Sequence, residues 1–120
     1  VEKILERKKQ MDTAAHIEYC LRELEVESVQ QFGDEEKQKV AAKCLKHINV
    51  WMIESYQSGV AYTRNDRRRL KRDCFNSVKE SVIKEYQEEY GFAILSFLLI
   101  YVVLPMVLKW LIERLFNKLK

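Results

Sequence analysis

Apolar side chains recur at helical spacing along most of this chain, and the pattern changes character once. From Val1 to Gln31, Ile4, Met11, Ala14, Ile17, Leu21 and Leu24 recur at three, four or seven residues, as one helix face requires. Cys20 and Val26 widen that stripe, and charged residues cover the other faces. Glu18 and Glu25 would fall on one row of a heptad core, so an ordinary amphipathic helix is expected rather than a sustained coiled coil. Gly33 stands where a helix C′ residue would, and Asp34 is placed to cap the next helix.

The second helix is expected from about Asp34 to Gln57, with Ala41, Leu45, Ile48, Met52 and Tyr56 on one side, joined by Cys44 and Trp51. Its early acids Asp34, Glu35 and Glu36 suit the positive end of the helix dipole. Ser58-Gly59 ends the pattern. A third helix starts near Asp66, with Leu70, Cys74, Val78, Val82, Tyr86 and Tyr90 at strict four-residue spacing. Such a row drifts around a straight helix, so the buried face turns along its length.

Residues 91–108, GFAILSFLLIYVVLPMVL, contain no charged residue, and their only polar side chains are Ser96 and Tyr101. Eighteen helical residues rise about 27 Å, close to the roughly 30 Å hydrocarbon core of a bilayer. The stretch therefore reads as a transmembrane segment, with Phe92, Leu95, Leu98, Leu99, Val102, Val103 and Trp110 as the membrane-contacting residues. Only Gly91 separates it from the third helix, so one long helix is expected to run through Gly91, with kinks there and at Pro105. Residues 109–120 read as a basic amphipathic tail, with Trp110 beside Lys109 at the bilayer interface. A competing reading makes the tail the last helix of a bundle, with Pro105 as the break between two helices.

The fold class that follows is all-α: residues 1–90 form a charge-rich helical interaction region, 91–108 the apolar segment and 109–120 the tail. At 120 residues there is length for one domain. Hydrophobic residues at 48% exclude disorder, and charged residues at 32% exclude a protein that spans the membrane many times. Residues 1–30 contain no apolar core of a secretory signal. Three widely spaced cysteines, Cys20, Cys44 and Cys74, argue against a disulfide framework. They favour a reducing side, cytosolic or virion-interior, for the N-terminal region. Orientation is not set by charge, because Lys71, Arg72, Lys79 and Lys84 before the apolar segment balance Lys109, Arg114, Lys118 and Lys120 after it.

The densest charge, Thr63 to Asp73, carries Arg64, Arg67, Arg68, Arg69, Lys71 and Arg72 and is a candidate contact for an anion or a partner. On a straight continuous helix Arg72 would lie about 29 Å from Gly91, several times the roughly 8 Å screening length, which argues against lipid. The first helix offers Glu18, Glu23, Glu25 and Glu27 as counter-charges. Nucleic acid is the weaker partner, because no aromatic interleaving or zinc knuckle accompanies the run.

Of chemistry there is little sign. His16 with Cys20, and Cys44 with His47, share helix faces, and two packed helices would bring the four near a tetrahedral zinc geometry. They lack the close pairing of zinc loops, and both cysteines fall on core stripes. No ExxH pair, phosphate-binding glycine loop or GxSxG is present. A non-enzymatic protein without a cofactor or metal is expected, acting in binding or assembly at a bilayer, with a protein partner or self-association through residues 1–90. Size and architecture suit a viral or phage membrane-associated component. The alternatives are a soluble helical oligomer with the apolar helix buried between subunits, and a holin-like permeabiliser, which the absence of GxxxG does not favour.

Overall fold

The computed structural model describes residues 2–57, 64–91 and 99–119, with side chains over residues 14–55, 67–89 and 101–119. Within them lie four α-helices and no strand: α1 Glu2–Gln31, α2 Glu35–Gln57, α3 Arg64–Tyr90 and α4 Leu104–Lys118, the last preceded by a π-helical turn, Leu99–Val103. The all-helical expectation holds. α1 packs on α2, α2 on α3 and α3 on α4, and α4 closes back on both α1 and α2.

The α1–α2 turn is built as the sequence suggests at Asp34 but not at Gly33. Asp34 accepts the backbone N–H of Glu36 on its carboxylate at 3.0 Å, and its own carbonyl accepts the N–H of Gln38 at 3.0 Å. Gly33 does not take the left-handed conformation. The end of α1 is closed by the Phe32 N–H donating to the Ser28 carbonyl at 2.8 Å, while the Gln38 amide donates to the Phe32 carbonyl at 2.8 Å.

The core follows the predicted stripes closely. Ile17, Cys20, Leu21 and Leu24 of α1 are buried, as are Ala41, Cys44, Leu45, Ile48 and Met52 of α2 and, beyond the predicted stripe, Val40. Ile4, Met11 and Tyr56 lie outside the described side chains. In α3 Leu70, Cys74, Val78, Val82 and Tyr86 of the predicted row are buried, and the Tyr90 side chain lies outside the described residues. Each four-residue step turns the row by about 40°, so α3 meets different neighbours at its two ends. Ala14 and Val26 are exposed, against expectation. Ser28 takes the inward position near the end of α1, and its hydroxyl donates to the Glu25 carbonyl at 2.8 Å, which makes burial tolerable.

The C-terminal third departs from the expected long helix. Gly91 has φ +67°, a left-handed conformation that ends α3, and its N–H donates to the Gln87 carbonyl at 2.9 Å. A helix running straight on from α3 could not return to pack against it, yet α4 does so. Pro105 does not break the later helix either. It sits at the start of α4, directly after the wider π-helical turn, where a missing N–H is readily absorbed.

The tail read as a basic amphipathic extension is therefore the C-terminal part of the fourth bundle helix. Leu104, Val107, Leu108, Leu111, Ile112, Leu115 and Phe116 all face the core. Among the described residues no helix is long and apolar enough to cross a membrane. Phe92, Leu95 and Leu98 lie outside the described residues.

Candidate functional site

Two polar clasps and two uncovered surfaces are the places where this bundle has chemistry to offer. The first clasp joins α2 to α3. Lys43, Lys46 and His47 share one face of α2 by helical spacing, and Glu85 and Glu89 share one face of α3. Glu85 lies 2.6 Å from His47 Nε2, 3.4 Å from Lys43 Nζ and 3.5 Å from Lys46 Nζ, while Glu89 takes Lys43 at 2.8 Å. A carboxylate only accepts, so His47 donates from Nε2. The Lys43 ammonium also stands 5.0 Å from the centre of the Tyr86 ring.

The His47 hydrogen bond, against the opposing effect of burial and with help from Lys43 and Lys46, holds the Glu85 carboxyl down at about 2. Its folded value thus lies below the ordinary 4.5. The stability it contributes is fully present above about pH 4.5 and is lost as pH falls toward 2. Glu85→Gln should cost about 1–2 kcal/mol at pH 7, a hydrogen-bonded charge discounted for its partial exposure. Urea titrations should show that cost shrinking between pH 4.5 and 2. An unchanged difference over that interval would mean the clasp does not form.

A second clasp joins α4 to α1. Lys118 Nζ donates to Glu27 at 2.6 Å and to Glu23 at 3.1 Å. Higher on the same pair, the Phe32 and Trp110 rings meet edge to face with centroids 5.3 Å apart, and the Arg114 guanidinium lies 5.3 Å from the Trp110 ring centre. Trp110, expected at a bilayer interface, is thus half-buried against the α1–α2 turn.

The metal reading brings nothing together. His16 lies 3.8 Å from Cys20, its own helical neighbour, whereas His47 is engaged by Glu85 and Cys44 is fully buried. No group of three or more metal-ligating side chains forms among the described residues. Burial pushes the Cys44 and Cys74 thiols up to about 12, so neither supplies a thiolate nucleophile near neutral pH. Between α1 and α2 a shallow groove of ≈ 260 Å³ is lined by Glu18, Leu21, Arg22, Glu25 and Lys46 among others. Small-molecule sites usually enclose roughly 300–1,000 Å³.

The uncovered surfaces are more distinctive. The basic run opens α3: Arg68, Arg69 and Arg72 are exposed, Arg67 and Lys71 are half-buried, and the Arg64 side chain lies outside the description. Of the expected counter-charges on α1, Glu18 is engaged by Arg22 at 2.8 Å and Glu23 and Glu27 by Lys118, while Glu25 is exposed and not paired with the basic run. Lys71 alone of the run has a partner among the described residues, Glu113 of α4 at 3.8 Å. Arg68 with Arg72 and Arg69 with Arg72 are like-charge pairs at i,i+4 and i,i+3, each unfavourable by about 0.2–0.5 kcal/mol. Among the described residues no ion pair to Arg68, Arg69 or Arg72 offsets that cost.

The second surface is apolar. Tyr101, Val102 and Met106 are 64%, 58% and 46% exposed, although they belong to the same stretch as the fully buried Val107 and Leu108. Val103 packs against the core, and Leu99 lies in the π-helical turn. Val50 and Ile53, on the broadened end of α2, are also exposed. The sequence pattern flagged Val102 but not Tyr101 or Met106. Which side of an apolar run faces outward depends on where α1 to α3 sit. Comparison with protein-family models, with curated proteins and with solved structures finds no match, so any functional reading rests on this chain's own surfaces.

Proposed function

We propose that this chain is a non-enzymatic helical binding and assembly module that works at a membrane, attached through the outward side of its apolar stretch. The observation that supports the reading is that the stretch is only partly used by the core. Its inward side chains, Leu104, Val107 and Leu108, are sealed inside the bundle, whereas Tyr101, Val102 and Met106 stay uncovered. Residues 92–98, which precede them, carry no charge in the sequence. Several large apolar side chains left together on a surface mark an interaction site rather than a random exposure. With α4 committed to the bundle, attachment lies in the interface plane, where a tyrosine and flanking apolar residues are favoured.

The test is flotation with lipid vesicles, comparing the intact chain with Tyr101→Ser, Val102→Ser and Met106→Ser combined. These positions are exposed, so the bundle should keep its helicity by circular dichroism while co-flotation falls at least ten-fold, since burying each side chain is worth about 1.5–3 kcal/mol. Should the intact chain stay with the soluble fraction and elute as a discrete oligomer that the triple change dissociates, the apolar surface is a subunit contact and the membrane reading is wrong.

A further inference from the structure

We infer that the basic face opening α3, formed by Arg68, Arg69 and Arg72, together with the exposed Lys109 of the neighbouring α4, docks against the anionic headgroups of a phospholipid bilayer. This rests on the membrane reading above and adds the lipid class and the residues that select it.

Position comes first. On a straight helix extending α3, the run would stand about 29 Å from the bilayer and out of electrostatic reach. In the fold that separation shortens, because α4 packs along α3, the Lys71–Glu113 contact at 3.8 Å ties the basic run to α4, and Met106 stands about 10 Å along α4 from Glu113. Met106, Lys109 and Glu113 recur at three and four residues, so they form one outward row of α4. Glu113 at the end of that row touches Lys71, which places the row along the border with the first half of α3. The uncovered Met106 and the uncovered arginines are therefore carried by neighbouring helices.

Charge comes second. Arg68, Arg69 and Arg72 are exposed and have no carboxylate partner among the described residues, and their mutual repulsion disfavours the helix that carries them. An external polyanion would relieve it. Of the acids nearby, Glu113 is paired with Lys71, and Asp73, although four residues beyond Arg69 on the same side of the helix, forms no ion pair with the three arginines. Polyanion chemistry alone fits a nucleic-acid backbone as well as a headgroup layer. Val102 and Met106, uncovered on the neighbouring segment, favour lipid, since a bilayer accepts apolar side chains next to phosphate and a duplex backbone does not.

The experiment is vesicle co-sedimentation of the full chain, with phosphatidylcholine alone and with about 30 mol% phosphatidylserine added, at about 0.1 and 0.5 M NaCl. The variants are Arg68, Arg69 and Arg72 all changed to Ala, the same three changed to Lys, and a control with Lys39→Ala and Lys84→Ala. Binding should require phosphatidylserine and weaken with salt. It should fall on the order of a hundred-fold in the alanine variant, at roughly five-fold or more per charge, and persist in the lysine variant and the control. Equal binding to both vesicle types would overturn the headgroup inference while leaving membrane attachment standing, as would a control as damaging as the alanine variant. Absence of binding to either vesicle would overturn both. Arginine-dependent, salt-sensitive binding to a DNA or RNA duplex in that case would reassign the surface to nucleic acid.

Discussion

Phe116→Ala should destabilise the bundle by about 3–5 kcal/mol, the usual cost of removing a buried aromatic side chain. Phe116 is 1% exposed and lies in α4, among seven core-facing residues that begin at Leu104 and pack against α1, α2 and α3. Domain stabilities run at about 5–15 kcal/mol, so the loss is a large fraction of the total. Urea unfolding followed by circular dichroism gives the measurement. The same argument predicts that a chain ending at Val103 will not retain a cooperative transition, because the inward faces of α1 and α3 would lose their shared neighbour. A truncated chain that unfolds as cooperatively as the intact one would show that α4 is an appendage.

Thiol labelling should report the same core from the other side. Burial pushes Cys44 and Cys74 from an ordinary 9.0 up to about 12, which at any given pH near neutrality lowers the thiolate fraction by about a thousand-fold. Cys44 and Cys74 are both 0% exposed, so reagent access is blocked as well. In a Cys20→Ala background at pH 8, labelling of the remaining two thiols should be at least a thousand-fold slower in native buffer than in urea, and should track global unfolding. Cys20, 3% exposed and raised chiefly by burial, is shifted less and should be the first of the three to react in the intact protein. Rapid labelling of Cys44 or Cys74 under native conditions would mean that the α2–α3 interface is open.

Both experiments probe what periodicity made legible. The strict four-residue row of α3 is buried over its whole described length, and the α1 and α2 stripes hold over their described side chains except at Ala14 and Val26, with Ile4, Met11 and Tyr56 outside them. These succeeded because one helix face must find apolar neighbours wherever the other helices lie. The clasps were half legible. Lys43 and His47, like Glu85 and Glu89, are helical neighbours on their own elements, but nothing local pairs one set with the other across 38 residues or more.

The sequence by itself determined that this is a helical protein, most of the described core positions of α1 to α3, and where Asp34 starts the second helix. Local spacing and capping chemistry suffice for those, since they depend on neighbours within a turn or two. Only the tertiary structure decided what becomes of the apolar stretch. Hydropathy counts apolar side chains without saying what covers them, so a helix bound for a bundle and a helix bound for a bilayer look alike along one strand of sequence. Gly91 in a left-handed conformation ends α3, and α4 returns to the bundle with Leu104, Val107 and Leu108 turned inward and Val102 and Met106 turned outward. That reversal also brings Lys71 against Glu113 and so ties the first half of α3 to α4. Proximity between residues more than 40 apart is a property of packing, and no local pattern encodes it.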